Sequence, residues 1–341
     1  MMIDQPFTVR SLALRNRIVM PPMCMFSSDA TGVAQDFHRL HYGARAMGGT
    51  ALVIEEATAV TPEGRISDRD LGIWDDAQIP GLAELVRLIH GGGAAAGIQL
   101  AHAGRKSGSA SRPLIGPSAV AFDEKSRVPK EMDASDIARV VAAFRDGAAR
   151  ALAAGFDLVE VHAAHGYLLH GFLSPVSNQR ADGYGGSTEN RARLLLEVLD
   201  AIRSVWPEDK PIQVRLSASD YLARGLDIEE TIRIVHLIRD KADLFHISSG
   251  GVAPAPIRAY PGYQTGFSEA VRTACGVPTI AVGLITSLEQ AEETLSAGRA
   301  DLVALGRELL RDPYWPVRQK LRVPDLAIPV PEPYGRGFHI G

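Results

Sequence analysis

Residues 137–167, with the sequence IARVVAAFRDGAARALAAGFDLVEVHAAHGY, contain one complete unit of the pattern that decides the fold. Apolar residues recur at intervals of three and four over 137–151, which predicts an amphipathic helix, and Gly155 ends it. Residues 158–161 then form a short apolar run with little alternation, which is typical of a strand buried in a parallel sheet. Polar residues suited to chemistry follow directly over 162–167.

The same strand and helix unit recurs along most of the chain. Parallel strands need right-handed helical crossovers, and eight such units close into a barrel. We therefore predict that residues 1–341 form one α/β domain, a single (β/α)8 TIM barrel. The eight predicted strands lie at residues 17–20, 51–54, 97–100, 158–161, 212–216, 244–247, 279–282 and 302–305.

Two segments depart from this repeat. The stretch from about 104 to 132 is rich in Ser, Pro and charge and delays the third helix. We predict that it is an inserted loop or hairpin after the third strand, lying over one rim of the barrel. The tail from about 324 to 341 contains several prolines, so we predict that residues 328–338 are not helical and lie extended against another surface.

The composition fits a folded protein and excludes several classes. Of the 341 residues 46% are hydrophobic, too many for a disordered chain, and the net charge of −4 gives no reason to expect a nucleic-acid partner. Cys24 and Cys275 are too few for a disulfide framework or a four-thiolate cluster. No apolar run approaches ~18 residues and the N-terminus lacks the features of a signal peptide. We therefore expect a soluble, cytoplasmic protein without a membrane partner.

Residues able to carry chemistry follow the predicted strands at one end. In a parallel β/α barrel the active site is built there, at the C-terminal ends of the strands. This convergence predicts an enzyme. The residues are Pro21, Pro22, Met23 and Cys24 after the first strand, Ala57 after the second, Gln99 in the third, His162, His165 and Tyr167 after the fourth, Arg215 in the fifth, and Gly283, Gly306 and Arg307 after the seventh and eighth.

His162 and His165 lie where one loop can turn both imidazoles toward the same point. Two neutral imidazoles can donate hydrogen bonds to a substrate oxygen. They can also bind a metal, with Glu160 or His102 as a third ligand, or simply satisfy backbone groups. The spacing does not choose among these interpretations. Tyr167 has a phenol that is protonated at neutral pH and is a feasible proton donor, although most tyrosines are structural.

Cys24 and Arg215 also have more than one interpretation. Cys24 needs a lowered pKa to act as a nucleophile and is otherwise a small buried hydrophobe. Arg215 needs an electron-rich partner, either a ligand or a carboxylate of the barrel. The Gly-rich turns at 248–251, Gly283 and Gly306, together with Arg307, are typical of a phosphate site in a barrel. The sequence has no glycine fingerprint of a Rossmann or P-loop nucleotide site.

At these residues the chain resembles the old yellow enzyme family of FMN-dependent ene-reductases, and within it the bacterial thermophilic-like class of NADPH dehydrogenases. The resemblance runs nearly from end to end. Its most specific pieces are residues 22–25 (PMCM), 97–106 (GIQLAHAGRK), 162–167 (HAAHGY), 172–175 (FLSP), 184–187 (YGGS) and 306–310 (GRELL).

The resemblance implies bound FMN, with NADPH or NADH as the hydride donor. It implies that Cys24 lies near the reactive edge of the flavin and tunes its redox potential, and that Arg215 stabilises the anionic reduced flavin. Gln99 would contact the polar edge of the isoalloxazine, and Arg307 the phosphate. The residues implied to hold FMN are Pro21, Pro22, Met23, Cys24, Ala57, Gln99, Arg215, Gly283, Gly306 and Arg307.

The implied reaction is the reduction of an activated C=C bond in α,β-unsaturated carbonyl or nitro compounds by a ping-pong mechanism. His162 and His165 would bind the activating oxygen, hydride would pass from flavin N5 to the β-carbon, and Tyr167 would protonate the α-carbon. Phe26 stands where the class usually has Tyr, which removes a hydroxyl from the substrate pocket. In the class an arginine of the tail, here Arg336, enters the neighbouring subunit's site, which implies a homodimer or homotetramer.

Two alternatives of other classes follow from the residues alone. One is a metal-dependent barrel hydrolase that uses His162 and His165, and the other is a non-catalytic barrel that binds a sugar or nucleotide phosphate. The dienoyl-CoA reductase branch of the same superfamily needs an iron–sulfur cluster, which two cysteines cannot ligate. An FMN-dependent ene-reductase accounts for Arg215, Gln99, the Gly turns and the His–His–Tyr set together, and it is the function that we predict.

Overall fold

Eight parallel strands close into a barrel in the computed structural model, which describes residues 1–109 and 113–338. The strands are β1 (Phe7–Val9), β2 (Leu12–Leu14), β3 (Ile18–Met20), β4 (Leu52–Ala59), β5 (Ala95–Ala101), β6 (Ile115–Gly116), β7 (Lys130–Glu131), β8 (Leu158–Ala163), β9 (Ile212–Ser217), β10 (Leu244–Ser248), β11 (Thr279–Ala281) and β12 (Leu302–Ala304). The order around the barrel is β3-β4-β5-β8-β9-β10-β11-β12, and β12 closes onto β3 by pairing Val303 with Ile18. The predicted TIM barrel is confirmed.

Helices surround the barrel, and their ends follow local sequence. The Asp133 carboxylate accepts from the backbone N–H groups of Ser135 and Asp136 and begins the third helix, while Gly155, at φ 93°, ends it in the left-handed region as predicted. No helix among the described residues is long and apolar enough to cross a membrane. The helices are α1 (Asp36–Met47), α2 (Ile79–Gly91), α3 (Ala134–Ala154), α4 (Leu168–Leu173), α5 (Thr188–Arg203), α6 (Ile228–Ile238), α7 (Thr265–Cys275), α8 (Leu288–Ser296), α9 (Gly306–Arg311) and α10 (Trp315–Arg318).

The second barrel strand is longer than predicted. β4 extends to Ala59, so Ala57 lies inside the strand and not in the loop after it. A shift of register against β5 between Glu55 and Ala57 marks a bulge, and beyond it Ala57 pairs with Gln99. A bulge re-aims the side chains that follow it. Ala57 and Gln99 are thereby brought side by side near the C-terminal end of the barrel.

An N-terminal hairpin that the sequence did not predict packs at the other end of the barrel. β1 and β2 pair antiparallel, with Phe7 opposite Leu14. Val9, Leu12 and Leu14 form a small second core with the N-terminal residues of several barrel strands, including Leu52. Apolar burial of this kind stabilises the hairpin and covers that end of the barrel. Ligands therefore have access from the opposite, C-terminal end.

The predicted insertion lies between β5 and α3, but it is not a hairpin. It contains a short 3₁₀ helix, Gly104–Lys106, and the two-residue strands β6 and β7, which pair in parallel through Ile115 and Lys130. Parallel pairing requires a long connection between the strands, and a hairpin provides only a tight turn. Residues 110–112 of the predicted insertion lie outside the described residues.

The tail is only partly extended. The prediction of an extended segment over 328–338 is wrong for Glu332–Gly337, which form a 3₁₀ helix. Proline is tolerated there because the N–H groups of a first turn have no partner within the helix. Before this turn, Leu326 and Ile328 are buried and anchor the tail to the body of the protein.

Candidate active site

A cavity of about 320 Å³ at the C-terminal end of the barrel brings together most of the predicted cofactor residues. We call it the cofactor cavity. A larger cavity of about 1040 Å³ lies between α7 and α8, and it shares only Tyr263 and Thr286 with the first. The cofactor cavity is the better candidate because it contains the groups able to bind an anion. It is lined by the predicted Pro21, Pro22, Met23, Arg215, Gly283, Gly306 and Arg307, and by residues that sequence reasoning missed, among them Tyr263, Gln264 and Leu284.

One end of the cofactor cavity is suited to a phosphate. Arg307 is exposed, and its guanidinium makes no hydrogen bond or ion pair with any described residue. Gly283 has φ 135°, and a Cβ there would lie 3.1 Å from the Cβ of Gln264. Gly306 faces the side chains of Met23 and Pro21, so a side chain at this position would narrow the cavity. The backbone at these two glycines and the free guanidinium of Arg307 therefore line one open end of the cavity, where an anion could bind.

Arg215 occupies the inner part of the same cavity. It is buried, its Nη1 donates to the carbonyl oxygen of Pro22 at 3.4 Å, and its Nε is buried with no hydrogen-bond partner. No carboxylate lies within ion-pair distance of its guanidinium among the described residues, so the interpretation of Arg215 as a barrel salt bridge is wrong. A buried guanidinium with donors to spare needs an electron-rich partner.

Cys24 lies at the same end, beside β4. Burial, with the nearby Asp70 and Glu56, raises the pKa of its thiol to about 12, although a hydrogen bond from the Ala57 backbone acts in the opposite direction. The thiol is therefore neutral at physiological pH, and the thiolate that a nucleophile needs is not formed. Cys24 can touch a ligand as a neutral, polarisable group.

The rings of His162, His165 and Tyr167 form one group. The His162 ring centroid lies 5.3 Å from that of His165 and 4.9 Å from that of Tyr167, both nearly perpendicular. His162 and Arg215 pair in register on β8 and β9, which places this group next to the cofactor cavity. The three residues singled out after the fourth strand thus lie together.

Both imidazoles are uncharged at neutral pH. Burial, followed by the charge of Arg215, lowers the pKa of His162 and of His165 well below the usual value. His162 Nδ1 accepts from the Ala164 backbone N–H at 3.3 Å, so its Nε2 carries the proton. His165 Nε2 lies 2.8 Å from the Ser248 hydroxyl, which also donates to Gln264 Oε1 at 3.4 Å. Neutral imidazoles of this kind serve as hydrogen-bond donors.

The Tyr167 hydroxyl is available to a ligand. It makes no hydrogen bond with a described residue, and its oxygen is not sealed from solvent. Burial of the side chain, with Cys24 and Asp70 nearby, raises the pKa of the phenol above its usual value. The phenol therefore keeps its proton at neutral pH, as a proton donor must.

Polar contacts that sequence reasoning missed hold this loop in place. Lys106 Nζ donates to the carbonyl oxygens of His165 at 2.8 Å and Gly251 at 3.0 Å, and it lies 4.9 Å from the centroid of the Tyr167 ring. His165 has φ 58°, a left-handed conformation that costs energy for a non-glycine residue. His170 Nδ1 accepts from the Gly166 N–H at 2.7 Å. Lys106 lies in the segment 97–106 that carries the resemblance, whereas nothing in the sequence points to His170.

Neither candidate third ligand lies with His162 and His165 in the part of the chain that the structure describes. Glu160 accepts hydrogen bonds from Gln99, Gln213 and His246, and all four side chains are buried. His102 Nδ1 accepts from the Gly104 N–H. Among residues 1–109 and 113–338, no group of three His, Cys, Asp or Glu side chains could hold a metal ion. The arrangement therefore does not favour the hydrolase alternative.

Phe26 and Arg336 lie apart from the rest of the predicted site. Phe26 has φ 51° and an exposed ring on the loop that follows β3. Arg336 is exposed on the 3₁₀ helix of the tail and does not line the cofactor cavity. Its neighbour Tyr334 packs near Met47, at the end of α1 far from the site. Arg336 cannot be assigned to the site of its own chain on this geometry.

Comparison with known proteins gives consistent matches over the whole chain. A model of the NADH:flavin oxidoreductase / NADH oxidase family matches residues 3–325. The chain is 56% identical over 335 residues to the NADPH dehydrogenase of Geobacillus thermodenitrificans, covering 98% of this chain and 97% of that protein. It is 52% identical over 340 residues to the NADPH dehydrogenase of Clostridium acetobutylicum, covering 99% and 100%. The solved old yellow enzyme homologue from Zymomonas mobilis is 26% identical and superposes with a TM-score of 0.82, covering 96% and 94%.

Proposed function

Because the chain belongs to the NADH:flavin oxidoreductase / NADH oxidase family, the old yellow enzymes, we propose that it reduces the activated C=C bond of α,β-unsaturated carbonyl and nitro compounds. It is an FMN-dependent oxidoreductase that draws electrons from a reduced nicotinamide. The observation that carries the proposal is the pairing of His162 with Arg215, which joins a set of oxygen-binding residues to a cofactor cavity.

The residues of the cavity fit FMN. Arg307, free of protein partners, would bind the phosphate with the backbone at Gly283 and Gly306. Arg215, with an unpartnered buried Nε, would meet the electron-rich N1 and O2 side of the isoalloxazine. Backbone at Pro21, Pro22 and Met23 would lie against the ring, with Cys24 at its edge and Ala57 and Gln99 at the pyrimidine side. We take residues 1–341 as one FMN-binding domain.

Bound FMN would supply the two-electron chemistry, by taking hydride from the nicotinamide and delivering it to the β-carbon of the second substrate. His162 and His165 donate hydrogen bonds to the carbonyl or nitro oxygen, on which negative charge develops. Each preorganised donor of this kind contributes on the order of 10²–10³ in rate. Because both imidazoles are neutral, they can donate without competing for a proton.

Tyr167 completes the reduction by giving its proton to the α-carbon. Its hydroxyl is free, and its ring is held between His162 and the Lys106 ammonium. Phe26, exposed on the loop after β3, has no hydroxyl, so it would offer a substrate apolar contact only. The same pocket serves the nicotinamide and the enone in turn, as a ping-pong cycle requires.

An anaerobic visible spectrum tests this function. We expect a flavin spectrum in the purified protein, bleaching when NADPH is added and recovery when cyclohexenone follows. Cyclohexanone, which lacks the C=C bond, is the control and should leave the cofactor bleached. A colourless protein that gains no flavin spectrum after incubation with FMN and desalting would contradict the proposal.

We further propose a homodimer, alone or within a homotetramer, in which Arg336 of each chain enters the other chain's site. Three apolar side chains, Phe37, Leu40 and Met47, are exposed along α1, and Leu40 is 75% exposed. A contact through α1 about a twofold axis perpendicular to the helix would set the two helices antiparallel. The C-terminal end of α1 in one chain, where Met47 contacts the tail, would then face the N-terminal end of α1 in the other chain. The loop from the cofactor cavity reaches α1 at that N-terminal end, next to Phe37. The helix is about 18 Å long, and this length sets the distance between the tail of one chain and the site of its own chain that the contact would bridge toward the other chain's site.

Sedimentation of charge variants tests this arrangement. Leu40→Glu should give monomers, while Val128→Glu, at an apolar residue of the insertion that is 65% exposed, should not. Deletion of the residues after Pro333 should change the KM for several enones and leave FMN bound. A dimeric Leu40→Glu protein, or a truncated protein with unchanged kinetics, would contradict this part.

A further inference from the structure

A charged network fills the barrel interior next to the cofactor cavity, where barrels usually have apolar side chains. Gln99, Glu160 and Gln213 occupy matching register positions on three neighbouring strands, β5, β8 and β9. The Gln99 Nε2 donates to Glu160 Oε1 at 2.6 Å, His246 Nδ1 lies 2.8 Å from Glu160 Oε2, and Gln213 Nε2 donates to the same oxygen. None of these side chains is more than 2% exposed.

The network holds one negative charge behind Arg215. Although burial alone would raise it, the pKa of Glu160 lies below its usual value because of His246, Arg215 and the hydrogen bond from Gln213. Burial and then Arg215 lower the pKa of His246, although Glu160 raises it. Arg215 lies two residues beyond Gln213 on β9 and pairs in register with His246. The anionic Glu160 and the cationic Arg215 thus occupy adjacent levels of the barrel interior.

Glu160 also determines which atom Gln99 offers to a ligand. An ionised carboxylate only accepts hydrogen bonds, so the Gln99 amide must turn its NH₂ toward Glu160. Its carbonyl Oε1 is then the atom left to accept a hydrogen bond from elsewhere. The pyrimidine side of an isoalloxazine carries one N–H donor, at N3. A Gln99 held in this orientation matches that donor.

We propose that Glu160 is a positioning residue for the cofactor: it fixes the Gln99 amide in its accepting orientation, and its charge offsets that of Arg215. This inference rests on the proposed function, because it assumes FMN in the cofactor cavity. The reduced cofactor carries more negative charge than the oxidised one, so Arg215 favours reduction and Glu160 opposes it. Glu160 thereby sets the reduction potential and contributes to cofactor affinity without touching substrate.

Two variants at one position separate these effects. Glu160→Gln keeps the shape and removes the charge, and we expect the affinity for reduced relative to oxidised FMN to rise about tenfold, which is about 30 mV in midpoint potential for two electrons. Glu160→Asp keeps the charge but shortens the reach toward Gln99. We expect it to weaken FMN binding several-fold while the potential stays near that of the wild type. Val161→Ala, at a buried apolar position next to Glu160 on β8, leaves all four side chains of the network in place, so it is the control for disturbed packing.

The measurements are the midpoint potential from anaerobic dye equilibration of the holoenzyme and the FMN dissociation constant from flavin fluorescence. Glu160→Gln with wild-type potential overturns the proposal, as does an equal shift in Val161→Ala. Should Glu160→Gln fail to fold, Glu160→Asp decides, and wild-type FMN affinity in that variant overturns the proposal. Wild-type protein that binds no FMN would refute the proposed function itself, whereas wild-type binding with unaltered variants would refute only the assignment of Glu160.

Discussion

Replacement of Tyr167 by Phe tests the proton-donor step alone, because the hydroxyl has no hydrogen bond within the described part of the chain that its removal would break. The hydroxyl makes no hydrogen bond with a described residue, so its removal leaves no buried partner unsatisfied. The ring contacts with His162 at 4.9 Å and with Lys106 at 4.9 Å do not involve the oxygen and remain in Phe. We therefore expect the stability of the variant to stay within about 0.5 kcal/mol of the wild type.

The kinetic effect should be large and confined to one half-reaction. A positioned general acid contributes about 10²–10⁴ in rate, which is roughly 2.7–5.5 kcal/mol of barrier. Reduction of the cofactor by NADPH transfers hydride and needs no proton from the phenol. We expect Tyr167→Phe to slow reoxidation by cyclohexenone at least about a hundredfold and to leave reduction by NADPH nearly unchanged.

Anaerobic stopped-flow absorbance measures the two steps separately. The pH dependence gives a second check: since burial raises the pKa of the phenol, the proton is present throughout the neutral range, and the wild-type rate should not fall as the pH rises toward 9 through loss of this proton. Equal slowing of both half-reactions, or an unaltered enone step, would refute the assignment of Tyr167 as the proton donor.

Three further changes have distinct expected outcomes. The double variant His162→Ala, His165→Ala should raise the KM for enones and slow reoxidation at least about a hundredfold, as measured by stopped flow; unchanged enone kinetics would contradict oxygen binding by the pair. Arg307→Gln should weaken FMN binding about 10- to 100-fold, as expected for a lost charge-assisted hydrogen bond. The melting temperature of the FMN-free protein should stay the same, because the Arg307 side chain has no protein partner among the described residues. Wild-type FMN affinity in a fluorescence titration would mean that the phosphate binds elsewhere. Because burial with Asp70 and Glu56 raises the pKa of Cys24 to about 12, its thiolate fraction at pH 8 should be about a thousandfold below that of free cysteine. Iodoacetamide labelling in a Cys275→Ser background, followed by mass spectrometry, should then be slow and should accelerate as the pH rises, whereas rapid labelling at pH 8 would contradict this burial.

The barrel could be predicted because each of its strands is recognisable from a few consecutive residues. Residues 158–161 are an unbroken run of residues that a parallel strand buries on both faces, and Gly155 gives the preceding helix a left-handed end. The grouping of His162, His165 and Tyr167 also follows from local order, since a few residues after a strand must lie at its C-terminal end. Their proximity to Arg215 then follows from the barrel itself.

Contacts between distant segments could not be predicted in this way. Glu160 lies within an apolar run, and its neighbours in the chain do not indicate which residues contact its carboxylate. Those residues are Gln213 and His246, which lie 53 and 86 residues later. The hairpin of β1 and β2 has strands of three residues, too short to show a clear alternation. The prolines of the tail predict no helix, yet Glu332–Gly337 form a 3₁₀ turn, because proline excludes only helix positions beyond the first turn.

The closure of β12 onto β3 has a consequence for how the protein is made. Val303 pairs with Ile18, so the barrel stays an open sheet until nearly the whole chain has left the ribosome. At about 5–20 residues per second the interval between the two strands lasts on the order of 15–60 s. Pro21, directly after β3, and Arg307, in α9 after β12, line the same cavity, so no nascent intermediate possesses a complete cofactor site. FMN can therefore stabilise the closed barrel by binding to it, but it cannot assist the folding of the first half of the chain. The exposed edge of β3 must be protected from pairing with other strands by other means until synthesis ends.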